Sequence, residues 1–117
     1  MESAIQQSMI TYFRYQYPQY HKLLFSIPNG AFLAGTKEQR IRQWKRLERE
    51  GAITGAADLF LSIPKHGFNG FYIEVKTPKG TQSKDQKDFM KLVREMGYKY
   101  EVVKTIDDFI SKIKEYL

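Results

Sequence analysis

The segment "FYIEVK", Phe71–Lys76, has the aromatic and β-branched composition of a strand but also contains a carboxylate and an amine. Side chains alternate between the two faces of a strand, so Tyr72, Glu74 and Lys76 share one face and the three apolar residues share the other. The usual interpretation is a half-buried strand with a solvated polar face. The alternative is a pair of functional groups held side by side on a sheet.

A second apolar run, "ADLFLSIP", precedes this strand, and "KHGFNG" between the two runs is typical of a hairpin loop. Asp58 stands near the start of that run, and antiparallel pairing allows it to lie beside Glu74 and Lys76 on one face. Neighbouring carboxylates repel unless a cation or a proton separates them, and oxygen ligands on a rigid sheet suit Mg²⁺ or Mn²⁺. The pattern therefore predicts a metal site.

Composition narrows the classes of function. The 117 residues predict one domain, residues 1–117, and 19 basic against 13 acidic residues give a formal net charge of +6. That balance favours a polyanionic partner, nucleic acid before a membrane surface. The chain has no cysteine, and His21 and His66 lack the spacing of a metal pair, so a metal must bind to oxygen. With no apolar stretch long enough to span a membrane and no secretory signal, we expect a cytoplasmic protein.

Periodicity and turn residues predict the other elements. In chain order they are a helix over Glu2–Gln16, a strand in "LLFSIP", a helix capped by Thr36 and ended by Gly51, a helix in "SKDQKDFMKLVREMG", a strand in "YKYEVVK" and a helix after Thr105. The order α-β-α-β-β-α-β-α predicts an α/β (α+β) fold, a small mixed sheet flanked by helices. In the third helix, Phe89, Leu92, Val93 and Met96 are expected to point inward.

Six features in this order resemble one family from end to end. They are "ESAIQ", "IPNG", the turn at 55–58, "IEVK", "SKDQ" and "GYKYEVVKT". The sequence resembles the virus-type replication-repair nucleases (VRR-NUC), a branch of the PD-(D/E)xK superfamily. The resemblance implies a restriction-endonuclease-like core. The sequence differs from many relatives at Thr54, which precedes Gly55 at a position where proline is common. This difference affects the turn more than the chemistry.

The resemblance implies roles for individual residues. Asp58 and Glu74 would be metal ligands, completed by the backbone carbonyl of Val75, while Lys76 would position or polarise the attacking water. Divalent cations supply the charge that phosphodiester cleavage needs. Glu2 matches the acidic residue on the family's first helix and is expected to face inward, as a further ligand.

Two polar residues keep both a structural and a functional interpretation. Ser83 and Gln86 fit a capping box, and the family's matching glutamine faces the catalytic carboxylates, so Gln86 is assigned to the site as well. Asn29 is either a turn residue or a hydrogen-bond partner near the site.

The resulting hypothesis is an Mg²⁺- or Mn²⁺-dependent, structure-selective DNA endonuclease, by resemblance of phage or mobile-element origin, and a homodimer that resolves Holliday junctions. The alternatives are a monomeric flap or nicking nuclease, a sequence-specific restriction enzyme and a nucleic-acid-binding module without catalysis. Some DNA contacts are expected from two sets of basic residues. These are Arg40, Arg42, Lys45, Arg46 and Arg49 on the second helix, and Lys65, Lys79, Lys84 and Lys87 in or beside loops near the predicted site. Candidates for a dimer patch are Trp44, Phe32, Tyr12 and Tyr15.

Overall fold

A computed structural model of the chain describes residues 2–28 and 33–117. Its elements are α1 (Glu2–Gln16), a 3₁₀ helix (Pro18–Leu23), β1 (Leu24–Ser26), α2 (Lys37–Arg49), β2 (Leu59–Leu61), β3 (Phe71–Val75), α3 (Lys84–Glu95), β4 (Lys99–Val103) and α4 (Ile106–Tyr116). The predicted order is confirmed, with the 3₁₀ helix as an addition. Within the described ranges, no helix has the length and apolarity required to cross a membrane.

The four strands form one mixed sheet in the order β1-β2-β3-β4. β2 pairs antiparallel with both β1 and β3, and β4 runs parallel to β3. The predicted hairpin is therefore confirmed, and its register places Leu59 opposite Ile73 and Phe60 opposite Tyr72. The parallel pair requires a crossover, which α3 provides.

The core lies on the face of β3 that carries its alternate apolar residues. Phe71, Ile73 and Val75 are almost fully buried there, in one cluster with residues of α1 and α4. Met9 and Phe13 supply the apolar stripe of α1, as their spacing predicts. This half of the molecule is an ordinary hydrophobic core of helices packed on a sheet.

The opposite face of the sheet is covered less completely. α3 packs there through Phe89 and Val93, which are partly buried, but Leu92 and Met96 are 59% and 67% exposed. The expectation that all four residues face inward is wrong, because the apolar pattern of α3 is wider than the face that reaches the sheet. α2 has no buried residue at all, although Thr36 caps it as predicted.

Gly55 holds the start of α3 against the loop that precedes β2. Its backbone has φ +88°, a conformation that side chains other than glycine rarely adopt, and a Cβ added there would lie 2.5 Å from the carbonyl carbon of Asp85. The two backbones therefore approach more closely than any larger residue allows. This contact brings the first turn of α3 to the loop that carries Asp58.

Replacing Gly55 by alanine should thus lower the free energy of unfolding by more than the backbone strain alone would. Gly51 is the matched control, because it also has positive φ (+109°) but lies in open space, with nothing within 4 Å of the position that a methyl group would take. We expect Gly51→Ala to lower the free energy of unfolding by about 1 kcal/mol, and Gly55→Ala by roughly 1–3 kcal/mol beyond that. Urea denaturation measures both, and equal losses would show that the close approach to α3 is unimportant.

Candidate active site

Asp58 and Glu74 lie side by side at the end of the β2–β3 pair that is distant from the hairpin loop. Continuing the register Leu59–Ile73 by one residue places Asp58 opposite Glu74, with both side chains on one face. The Asp58 Oδ2 accepts a 2.7 Å hydrogen bond from the Val75 N–H, and its backbone carbonyl accepts one of 2.8 Å from the Ile27 N–H. Asp58 is therefore fixed between two strands.

Glu74 is the most deeply buried charged residue in the described part of the chain, with only 1% of its surface exposed. Its Oε2 accepts a 2.9 Å hydrogen bond from the Gln86 side-chain amide, and its Oε1 accepts one of 3.1 Å from the Tyr100 hydroxyl. The polar face of β3 is thus enclosed by α3 and β4, and the interpretation as a solvated strand face is wrong.

Gln86 serves the helix and the carboxylate at once. Its amide oxygen accepts from the Ser83 backbone N–H at 2.8 Å, which completes the predicted capping box, and its amide nitrogen donates to Glu74. The two interpretations of this residue are therefore compatible.

Lys76 lies at the edge of the carboxylate pair. Its ammonium is 3.9 Å from Glu74 Oε2 and its side chain is 13% exposed, so a largely buried positive charge lies beside the buried carboxylate. The three residues that the sequence analysis grouped, Asp58, Glu74 and Lys76, are brought together as expected.

Burial and mutual repulsion disfavour the charged forms of both carboxyls. Burial, followed by the negative charge of Asp58, raises the pKa of Glu74 to about 8, and the two carboxyl groups share a hydrogen bond. Burial also raises the pKa of Asp58, against the lowering effect of the Val75 N–H. Without a cation, this pair therefore holds a proton at neutral pH.

Two other residues of the predicted site are placed differently. Glu2 is exposed at the start of α1, so the expectation that it faces inward is wrong, and Gln6 is the buried polar residue of that helix. The charge of Glu2 nevertheless contributes to raising the pKa of Asp58, so its carboxylate lies within electrostatic range of the site. Asn29 lies outside the described residues.

Comparison with known proteins agrees with this fold. The family model of the VRR-NUC domain matches residues 3–106, and no curated protein matches the chain. The chain belongs to the VRR-NUC domain family. A solved structure described as a VRR_NUC domain protein superposes with a TM-score of 0.81 at 22% identity, covering 99% of this chain and 87% of that one, which supports the fold. Family membership implies a nuclease-type fold with DNA as its substrate class.

The VRR-NUC match does not by itself assign the ligands. Glu2 lies one residue before the matched range, and across residues 2–28 and 33–117 no three acidic or histidine side chains gather closely enough to hold a metal ion together. Asp58 and Glu74 therefore form a two-carboxylate site, and their roles as ligands stay predictions.

Tyr100 and Gln82 are the polar partners that the sequence analysis did not assign. Tyr100 is almost fully buried, and Gln82 donates a 3.4 Å hydrogen bond to its hydroxyl oxygen. One signal was present in the sequence. A tyrosine in a buried strand next to Glu74 requires a partner for its hydroxyl, and a neighbouring carboxylate provides one.

The stability of this VRR-NUC domain without metal should depend on pH through Glu74. Its ordinary pKa is 4.5 and its folded value is about 8, so the folded chain binds more protons than the unfolded chain between these values. The free energy of unfolding should therefore fall as pH rises from about 4.5 through about 8. Urea denaturation in EDTA at pH 5, 6, 7 and 8 measures this trend.

Glu74→Gln is the control for this titration, because it keeps the shape of the side chain without an ionisable carboxyl. Its stability should change much less over the same range. A wild-type protein that becomes more stable as pH rises to 8 would contradict the proton-sharing pair.

Proposed function

We propose that this chain is a divalent-metal-dependent, structure-selective DNA endonuclease that acts as a homodimer on four-way junctions. The observation that carries the proposal is the buried Asp58–Glu74 pair with Lys76 beside it, in a chain of the VRR-NUC family. In the overall reaction, the oxygen of water forms a bond to phosphorus, the bridging P–O bond breaks, and a proton of the water ends on the leaving oxygen.

The residues present fit a divalent cation. The pair retains a proton, and a cation could replace that proton as the positive charge between the two carboxylates. All the atoms that could bind the cation are oxygens. Asp58 and Glu74 would hold the ion. Glu2, at the exposed start of α1, would add its negative charge near them. A strand residue directs its N–H and C=O to the same neighbour in an antiparallel pair. The Val75 carbonyl is therefore directed to the Asp58 side, as a ligand there requires.

A divalent cation in such a site supplies positive charge for phosphoryl oxygens and makes water more acidic. The side chains of the protein would supply the remaining positioning and positive charge. Gln86 fixes Glu74 through a 2.9 Å hydrogen bond, and the Lys76 ammonium, 3.9 Å from Glu74 Oε2, would place a second positive charge beside a bound phosphate.

The basic charge that favours DNA is concentrated on α2. This helix carries six basic and two acidic residues, which gives +4 of the chain's formal +6. None of its residues is buried, so its side chains are accessible to a phosphate backbone. Since α2 stands on the same side of the sheet as Phe60 and Tyr72, with which Leu47 lines a common cavity, it flanks the face that carries Glu74.

Substitutions should separate metal binding from the role of Lys76. Asp58→Asn and Glu74→Gln each remove ligand charge while keeping shape, so we expect Mn²⁺ binding to be lost and cleavage to fall by orders of magnitude. Lys76→Ala should still bind Mn²⁺ but cleave poorly. Calorimetry on EDTA-stripped protein and a cleavage assay on branched DNA measure the two properties.

The outcomes of this experiment are distinct. Wild-type cleavage in excess EDTA would overturn metal dependence. If Lys76→Ala loses Mn²⁺ as completely as Asp58→Asn does, Lys76 organises the ligands and the assignment to water or phosphate is wrong. If DNA binds but is never cut with either metal, the chain is a binding module.

A dimer surface is supported by uncovered apolar area on the site's face of the sheet. Phe25, Leu47, Ile53, Phe60 and Phe89 contribute to a groove of about 470 Å³. Phe25 and Ile53 are 48% and 57% exposed at its rim. Of the patch candidates named from sequence, Tyr15 is exposed, Tyr12 and Trp44 are partly buried, and Phe32 lies outside the described residues.

Light scattering at micromolar concentration should give twice the mass of the chain, because two symmetric cuts on a four-way junction require two sites. Ile53→Lys places a charge in the groove and should shift the protein toward monomer. Tyr15→Lys, on α1 across the sheet, tests the patch candidate on that side, and loss of the dimer there instead of in Ile53→Lys would place the interface on α1. A wild-type monomer that nicks one strand per binding event would support the flap or nicking alternative and overturn junction resolution.

A further inference from the structure

Tyr100 is a buried residue whose hydroxyl meets the candidate site. Its side chain, on β4, is 1% exposed, and its ring lies 6.3 Å from that of Phe89 on α3. The Arg94 guanidinium lies 5.9 Å from the ring centroid and also donates a 2.9 Å hydrogen bond to the Tyr100 backbone carbonyl. Two residues of α3 therefore hold this tyrosine, and its hydroxyl has a defined position.

The hydroxyl proton has one acceptor in this arrangement. Gln82 donates from its amide nitrogen to the phenol oxygen at 3.4 Å, so that oxygen already accepts a hydrogen bond. A phenol has a single proton to donate, and Glu74 Oε1 lies 3.1 Å away. Gln82 and Tyr100 thus form a chain of donors that ends on the carboxylate.

Glu74 consequently receives one donor on each oxygen, from two different elements. Gln86 on α3 binds Oε2, and Tyr100 on β4 binds Oε1. A carboxylate held at both oxygens cannot rotate about its last bond without breaking a hydrogen bond, which fixes the lone pairs that remain for a cation. Outer partners of this kind orient metal ligands.

We infer that Tyr100 is a positioning residue that orients the Glu74 carboxylate for a divalent cation, with Gln82 directing its proton. The inference rests on the proposed function, since it assigns Tyr100 to the metal site of that reaction. A hydroxyl that served folding alone would lower stability when removed and leave metal affinity unchanged.

Tyr116 provides a matched comparison for the purely structural role. It is also 1% exposed, and its hydroxyl donates to the backbone carbonyl of Ile63. It packs against Phe71 in the core, on the opposite face of the sheet from Glu74. Tyr116→Phe and Tyr100→Phe therefore each remove one buried hydroxyl and keep the ring.

The experiment compares wild type, Tyr100→Phe, Tyr116→Phe and Gln82→Met, all stripped with EDTA. Calorimetric titration with Mn²⁺ should show affinity about 10- to 100-fold weaker for Tyr100→Phe. The Mn²⁺ affinity of Gln82→Met should fall by a smaller factor, and that of Tyr116→Phe should equal the wild-type affinity. In cleavage assays over a range of DNA concentrations, Tyr100→Phe should lower kcat and leave the KM for DNA unchanged. Urea denaturation should show losses of stability for both phenylalanine variants.

Each result is decisive. Wild-type Mn²⁺ affinity in Tyr100→Phe, or an equal loss in Tyr116→Phe, overturns the positioning role and leaves the proposed nuclease intact. If Tyr100→Phe does not fold, Gln82→Met decides, and an unchanged affinity there overturns the inference. A wild-type protein that binds no Mn²⁺ overturns the proposed function, and the inference with it.

Discussion

The burial of Glu74 beside Asp58 is the constraint on which the rest of this structure depends. A carboxylate with 1% exposure loses its hydration, and a second carboxylate opposite it adds repulsion. The protein compensates with hydrogen bonds from Gln86, Tyr100 and the Val75 N–H, and the pair retains a proton. That retained proton is the positive charge that the proposed divalent cation would replace.

That support for the two carboxylates comes from three elements that the fold brings together. β3 contributes the Val75 N–H, β4 contributes Tyr100 from the parallel side, and α3 contributes Gln86 from its first turn. The position of α3 depends in turn on Gly55, whose missing side chain lets the helix start contact the loop before Asp58. Local capping chemistry and the site are therefore coupled, because the same glutamine amide satisfies both.

Sequence predicted the parts of this arrangement that depend on local pattern. The bounds of α1, the hairpin, the Thr36 and Ser83 caps and the convergence of Asp58 with Glu74 follow from spacing and alternation, and the structure has them. The exposure of Glu2 and of the Leu92–Met96 edge of α3 depends on which neighbour covers each face. Periodicity predicts that a helix face is apolar, but it does not predict how much of that face another element covers.

The residues that stabilise the fold and the residues of the candidate site lie on opposite faces of the sheet. On one face, α1 and α4 close over Phe71, Ile73 and Val75, and this core needs nothing from the acidic residues. On the other, the same strand presents Glu74 under α3, while the adjoining groove and α2 remain open. Because alternate residues of β3 serve the two faces, the strand can carry a destabilising carboxylate while its apolar residues keep the fold. The strand that looked contradictory in sequence thus joins the apolar core to the face that carries the candidate site.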